Sequence, residues 1–338
     1  MKHIAIIGAG LSGLALATQL ADTAHIAIFE KHPHVSGRMA TREHDGYAYD
    51  HGAQFFTVKH PAFQRLVDAM ITQGAVARWD AKFAEIDGVR IKACRDWDSG
   101  FPHYVGVPSM ASIGQWMSTQ LKQKGVQILC NSQVGALKRV RNAWALLGGD
   151  GQDLGHFDWV ITATPAPQAV QLLPDNVDYL PQLNKVQMLP CYALMLGFDQ
   201  AIARSWDVAH VANHPRLSWI SVNASKPQRH QPTSVVVMSR NLWATQHFDA
   251  AEAWVIDAMM QDLSAILGEQ VFSAKQRLLK KWHFANAPKM PIQEVLMDKQ
   301  LQLASCGDWC ISGRVESAFV SALKLADALQ HQVISEQT

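Results

Sequence analysis

The sequence has almost no surplus charge. Its 338 residues carry 30 Lys+Arg against 29 Asp+Glu, a formal net charge of +1. Nothing in that balance points to nucleic acid or an anionic membrane as a partner. Cysteine is also sparse. Cys94, Cys130, Cys191, Cys306 and Cys310 are odd in number and scattered, which argues against a disulfide framework and suits a reducing compartment. Cys306 and Cys310 have three residues between them, a spacing that fits neither a thioredoxin-like pair nor a zinc half-site. His32, His34, His44 and His51 do not share a helical face and have no neighbouring cysteine, so they are expected to be loop histidines and no metal site is expected. Residues 4–21 lack charge, but three glycines with Ser12, Thr18 and Gln19 break them up. A strand, turn and helix explain them better than a signal peptide or a membrane span. Internal repeats and low-complexity runs are absent from the sequence. What remains is a cytoplasmic globular protein, 48% apolar and 17% charged, long enough for two domains.

The strongest local signal is at the start, HIAIIGAGLSGLALATQL. Residues 3–7 are a short apolar run of the kind buried on both faces of a parallel sheet. Gly8, Gly10 and Gly13 then spell GxGxxG, and Leu14, Leu16, Ala17 and Leu20 continue as a helix. A second apolar strand, HIAIFE, ends in Glu30. Gly8 permits the tight turn, Gly10 lets a pyrophosphate approach the backbone, and Gly13 lets the helix pack close to the strand. The helix N-terminus offers unpaired N–H groups to phosphates. Glu30 lies 17 residues beyond Gly13, where a carboxylate can accept the hydroxyls of an adenosine ribose. Ala9, Leu11, Ser12 and Lys31 complete this expected dinucleotide site.

The next stretch, EKHPHVSGRMATREHDGYAYDHGAQFF, resembles the flavin-containing amine oxidase superfamily, in which a G-G-R-M segment follows the ribose acid and an aspartate-glycine-alanine turn comes later. Here Gly37, Arg38 and Met39 keep that pattern. Ser36 replaces the first glycine, so its backbone is expected to be less free to take a positive φ. Asp50, His51, Gly52, Ala53 and Gln54 match the turn. Arg38 would bring a planar cation to the pyrophosphate. Gly52 and Ala53 are small enough to pass close to a flat ring, with Phe55 beside them, and Gln54 offers an amide. The cofactor expected from this resemblance is FAD, bound without a covalent link. Near the other end, CGDWCISGRVESA resembles the segment that closes over the flavin in that superfamily. Residues 304–306 are its strand, Asp308 would accept hydrogen bonds from the cofactor, and Gly313 makes the turn. Arg314, Val315 and Glu316 begin a helix aimed at the flavin N1/O2 edge. Val134 corresponds to backbone that meets the adenine.

Within the superfamily the chain is similar to the renalase-like group. The resemblance rests on IAIIGAGLSGLALA, DHGAQFFT, YVGVPSMASI, TATPAPQA, LSWISVNASKPQR and CGDWCISGRVESA. A departure occurs at Leu279, Lys280, Lys281 and Trp282, where relatives often carry His-Arg-Trp. The resemblance implies an α/β fold: a Rossmann-type FAD-binding domain of p-hydroxybenzoate hydroxylase / amine oxidase topology with a smaller α+β substrate domain. Residues 1–75, 105–175 and 296–338 would form the FAD-binding domain, and 76–104 and 176–295 the substrate domain. The activity it implies is oxidation of 2- and 6-dihydro isomers of NAD(P)H, with hydride passing to flavin N5 and O2 regenerating the flavin as hydrogen peroxide forms. Losing hydride makes the dihydropyridine aromatic, so positioning outweighs acid–base chemistry. Gln54, Trp219 and Asn223 are the candidates for substrate contact, within an aromatic wall drawn from Phe55, Phe56, Tyr104, Tyr192, Trp219, Trp243, Trp282 and Phe284. The loop SKPQRHQPT is expected at the surface or an entrance rim. An amine oxidase and a non-catalytic flavin-binding protein remain alternatives, and no feature assigns an oligomeric state.

Overall fold

The computed structural model describes residues 1–229, 232–289 and 292–335. Lys2–Ile7 and Ala24–Phe29 pair in parallel, with Ile4 opposite Ile26 and Ile6 opposite Ile28. They are neighbours in a six-stranded sheet. Its spatial order is Leu296–Asp298, Leu303–Ser305, Trp159–Thr162, Lys2–Ile7, Ala24–Phe29, Gln127–Leu129. All neighbours are parallel except the first two. Both faces of the central strand are buried, which explains its unbroken apolar run. Ile4 and Ile6 pack with helices Leu11–Leu20 and Val315–Ser335, whereas Ala5 and Ile7 face a second core with Trp144, Val160 and Trp309. The chain's two ends meet here: Ser12 Oγ donates to Ala318 O at 3.0 Å.

A seven-stranded sheet stands beside this layer. Its order is Gln276–Asn286, Leu189–Phe198, Thr233–Ser239, Leu217–Val222, Val208–Ala212, Lys82–Asp87, Arg90–Asp96. It is antiparallel except where Val208–Ala212 meets Lys82–Asp87. The period-2 alternation sorts its faces. Tyr192, Leu194, Leu196, Val235 and Val237 pack on helix Glu252–Leu267. Ala193, Met195 and Val236 pack against Tyr47 and Tyr49 from the dinucleotide side. A three-stranded meander, Val134–Val140, Ala143–Gly148 and Asp153–Phe157, completes the fold. Among the described residues no helix is long and apolar enough to cross a membrane.

Close backbone packing explains two glycines. A Cβ on Gly13 would lie 2.0 Å from Gly8 O, and one on Gly52 would lie 2.0 Å from Arg38 O. Ser36, by contrast, takes a φ of +96° despite its side chain. Its hydroxyl donates to Ala111 O at 2.7 Å, a tertiary bond that helps hold a conformation disfavoured for a serine.

Candidate active site

One cleft of about 1270 Å³ runs from the glycine turn to the flank of the seven-stranded sheet. That exceeds the roughly 300–1,000 Å³ of ordinary small-ligand pockets. Gly8, Gly10, Leu11 and Ser12 line one end. Helix Leu11–Leu20 begins there with Gly10 as its cap residue and no side-chain cap, which leaves its first N–H groups for an anion. A Cβ on Gly10 would meet nothing nearer than Gly37 Cα at 4.0 Å. Ala9 and Gly13 sit behind this surface: Ala9 N–H donates to Glu30 Oε2 at 2.9 Å, and Gly13 packs on the strand. The other Glu30 oxygen accepts from His32 N–H at 2.9 Å, so two backbone amides fix the carboxylate in the cleft wall.

Lys31, Gly37, Arg38, Met39, Ala53 and Val134 also reach the cleft, as do Asp308, Arg314 and Val315 from the far end of the sequence. Arg38 and Asp308 face each other as a bidentate pair, with Nη1 to Oδ2 at 2.9 Å and Nη2 bonded to Oδ1. Arg38 Nη1 also donates to Ala285 O at 3.2 Å. Glu316 turns to a neighbouring loop, accepting from Lys59 and His60 N–H at 2.6 and 2.7 Å. Phe55 packs on Trp219 with ring centroids 5.4 Å apart.

At the sheet end Trp219, Met238, Ser239, Lys280, Trp282 and Phe284 line the wall. Of the other aromatic candidates, Phe56, Tyr104, Tyr192 and Trp243 are buried in the cores. Trp219 donates its Nε1–H to Ser221 Oγ at 2.9 Å. Gln54 and Asn223 turn inward. Gln54 Nε2 donates to Asp50 O and to Gly52 O at 3.0 Å, and Asn223 Nδ2 donates to Ala48 O at 2.9 Å.

Two groups at this site stand in motifs the sequence shows, but the sequence assigns them no role. His51 lines the cleft at 8% exposure and stacks on Trp282 with centroids 5.3 Å apart. Trp282 Nε1–H donates to His51 O at 2.8 Å. Burial, then the nearby Lys280, pushes the imidazole down to about 4, so it is neutral at neutral pH. The second group is a buried ion cluster. Asp50 Oδ2 accepts from Lys226 Nζ at 3.0 Å and from Arg229 Nη2 at 2.7 Å. Those three side chains are 0%, 0% and 3% exposed. This corrects the reading of SKPQRHQPT as surface: Lys226 is fully inside, and His230 and Gln231 of that loop lie outside the described residues. Lysine is seldom buried, and only folding brings it to a carboxylate 176 positions away. Asp50 is held well below the usual carboxylate range by the two cations, which outweigh its burial. Lys226 is pushed down because burial outweighs Asp50.

Comparison with known proteins agrees with this geometry. Residues 6–70 match the NAD(P)-binding Rossmann-like domain, and residues 107–330 match the flavin containing amine oxidoreductases. The chain belongs to the flavin-containing amine oxidoreductase family. Among curated proteins, renalase of Mus musculus is 25% identical over 288 residues, which covers 79% of this chain and 80% of that protein. Among solved structures, cyclohexylamine oxidase from Brevibacterium oxydans IH-35A superposes with a TM-score of 0.73 at 11% identity, covering 98% of this chain and 99% of the other. Putrescine oxidase bound to putrescine gives 0.71 at 11% identity, covering 99% of each chain. These structures share the fold. The protein is an FAD-dependent oxidoreductase of that family, and the uncapped helix, open glycine cradle and fixed Glu30 fit that cofactor.

Proposed function

We propose that the enzyme oxidises the 2- and 6-dihydro isomers of NAD(P)H, using O2 as electron acceptor. The observation that carries this reading is the charge of the substrate-side wall. Among the described cleft residues contributed by the seven-stranded sheet there is no carboxylate, whereas Lys280 is present; the Lys281 ammonium is turned away, donating to Phe248 O and Ala250 O. Such a wall suits a flat ring carried on a phosphorylated dinucleotide and offers no counter-ion to an alkylammonium substrate. When bound, FAD supplies hydride acceptance at N5 and returns electrons to O2 as hydrogen peroxide. The chain's part is positioning: Trp219 and Trp282 offer flat apolar surfaces, and the neutral His51 adds no charge to the ring's environment. Similarity to renalase over most of both chains supports the same reading. In this arrangement residues 1–75, 105–175 and 296–338 hold the cofactor, and 76–104 and 176–295 form the substrate domain.

Anaerobic stopped-flow mixing tests the proposal. The 2- or 6-dihydro isomers should bleach the flavin band within seconds, with peroxide appearing on admission of O2, while putrescine and cyclohexylamine leave the band unchanged. Bleaching by amines alone would replace this substrate class with amines. No bleaching by either would overturn an oxidase function.

A further inference from the structure

The buried cluster has a position that stability alone does not explain. Asp50 gathers partners from three separate parts of the chain. Thr41 Oγ1 donates to Oδ1 at 2.6 Å, Met110 N–H donates to the same oxygen at 3.0 Å, and Lys226 and Arg229 reach the other oxygen from the loop after Leu217–Val222. Lys226 Nζ also lies 5.3 Å above the Trp79 ring. One carboxylate and two cations are thus taken out of water. An apolar group of similar volume would commonly be as stable or more so, which makes fixed geometry the better-supported use of such an ion cluster.

The geometry concerned is that of the turn directly after Asp50. His51, Gly52 and Ala53 line the cleft. Ala53 N–H donates to Arg38 O at 2.9 Å, and Gly52 packs against that same carbonyl. The Gln54 amide closes the turn onto Asp50 O and Gly52 O. Its Oε1 lies 3.4 Å from Lys226 Nζ. One ammonium group therefore touches both the residue that precedes the turn and the residue that ends it, and it comes from the loop that follows sheet strand Leu217–Val222. We infer that Lys226 is a positioning residue for the flavin-facing turn 51–54, acting through Asp50 and Gln54. It holds the turn against the Arg38 segment and ties its place to that of the substrate wall. The inference stands whichever substrate the enzyme takes.

The test uses the holoenzyme and reads FAD dissociation and the visible circular dichroism of bound flavin, beside the urea unfolding midpoint. Lys226→Met removes the donors but leaves Asp50 and Arg229 as a neutral pair. It should raise the FAD dissociation constant about tenfold, the effect of losing one charge-assisted hydrogen bond, and change the flavin dichroism. Lys226→Gln keeps an N–H donor one atom short of the original and should recover most of both signals. A purely structural role would lower the unfolding midpoint and leave the dichroism as in wild type. Wild-type dissociation and dichroism in Lys226→Met would overturn the inference, as would Lys226→Gln departing as far as Lys226→Met. Gln54→Met keeps the ion cluster and the Lys226 contact with Asp50, but removes the Lys226 contact with Gln54 together with the amide bonds to Asp50 O and Gly52 O that close the turn. It should reproduce both flavin signals, and its failure to do so would also overturn the inference, even where the lysine variants do not fold.

Discussion

Acidification should destabilise this protein through one residue in the cleft. His51 is neutral in the folded state because burial, assisted by Lys280, holds its imidazole at about 4 against the usual 6.5. Once unfolded, the imidazole takes up a proton below 6.5. The unfolded state then binds more protons than the folded one, so stability rises with pH across this interval. The contribution is fully present above 6.5, is lost as pH falls, and levels off below about 4. At about 1.4 kcal/mol per pH unit the whole loss comes to about 3 kcal/mol, of which about 2 kcal/mol is gone by pH 5. His51 is buried at 8% exposure, so solvent screening takes little from this figure. Urea unfolding of wild type and His51→Leu with saturating FAD, at pH 7.5 and pH 5, isolates the effect, because other acid-sensitive groups are common to both. The wild type should lose about 2 kcal/mol more than the variant over that range. NMR titration of the His51 ring should give a midpoint near 4, and Lys280→Met should move it up. Parallel pH profiles, or a His51 midpoint near 6.5, would refute the reasoning.

Other expected outcomes follow from close contacts. Gly52→Ala places a Cβ 2.0 Å from Arg38 O. Backbone must shift to accept it, so the variant should lose about 3 kcal/mol and purify with less FAD per chain, measured by urea unfolding and by absorbance. Asp308→Asn removes the charge facing the Arg38 fork. Asp308 is buried and Arg38 partly exposed, so the apoprotein should lose about 2 kcal/mol, read from its unfolding midpoint.

Much of the fold was legible because its signals are local. GxGxxG between two apolar strands, with Glu30 ending the second, reports a strand–turn–helix geometry written into adjacent residues, and the helix from Val315 announces itself by glycine and periodicity. The family resemblance added the partnership between the chain's two ends. The amide of Gln54 was legible as a residue of the flavin turn, but its direction was not. A side chain's partners depend on what the fold brings near, and here Asp50 and Gly52 carbonyls take both donor contacts. Ser36 illustrates the same limit, since its backbone conformation is coupled to a hydroxyl bond 75 positions away.

By itself, then, the sequence determined the dinucleotide cradle, the alternation of strands and helices and the absence of a metal-type cysteine pattern, since each depends on spacing along the chain. Only the tertiary structure decided that Lys226 is buried beside Asp50, that Arg38 pairs with Asp308, and that His51 is kept neutral between Trp282 and Lys280. The energy of a charge depends on its solvent and neighbours in three dimensions, and a linear sequence records neither.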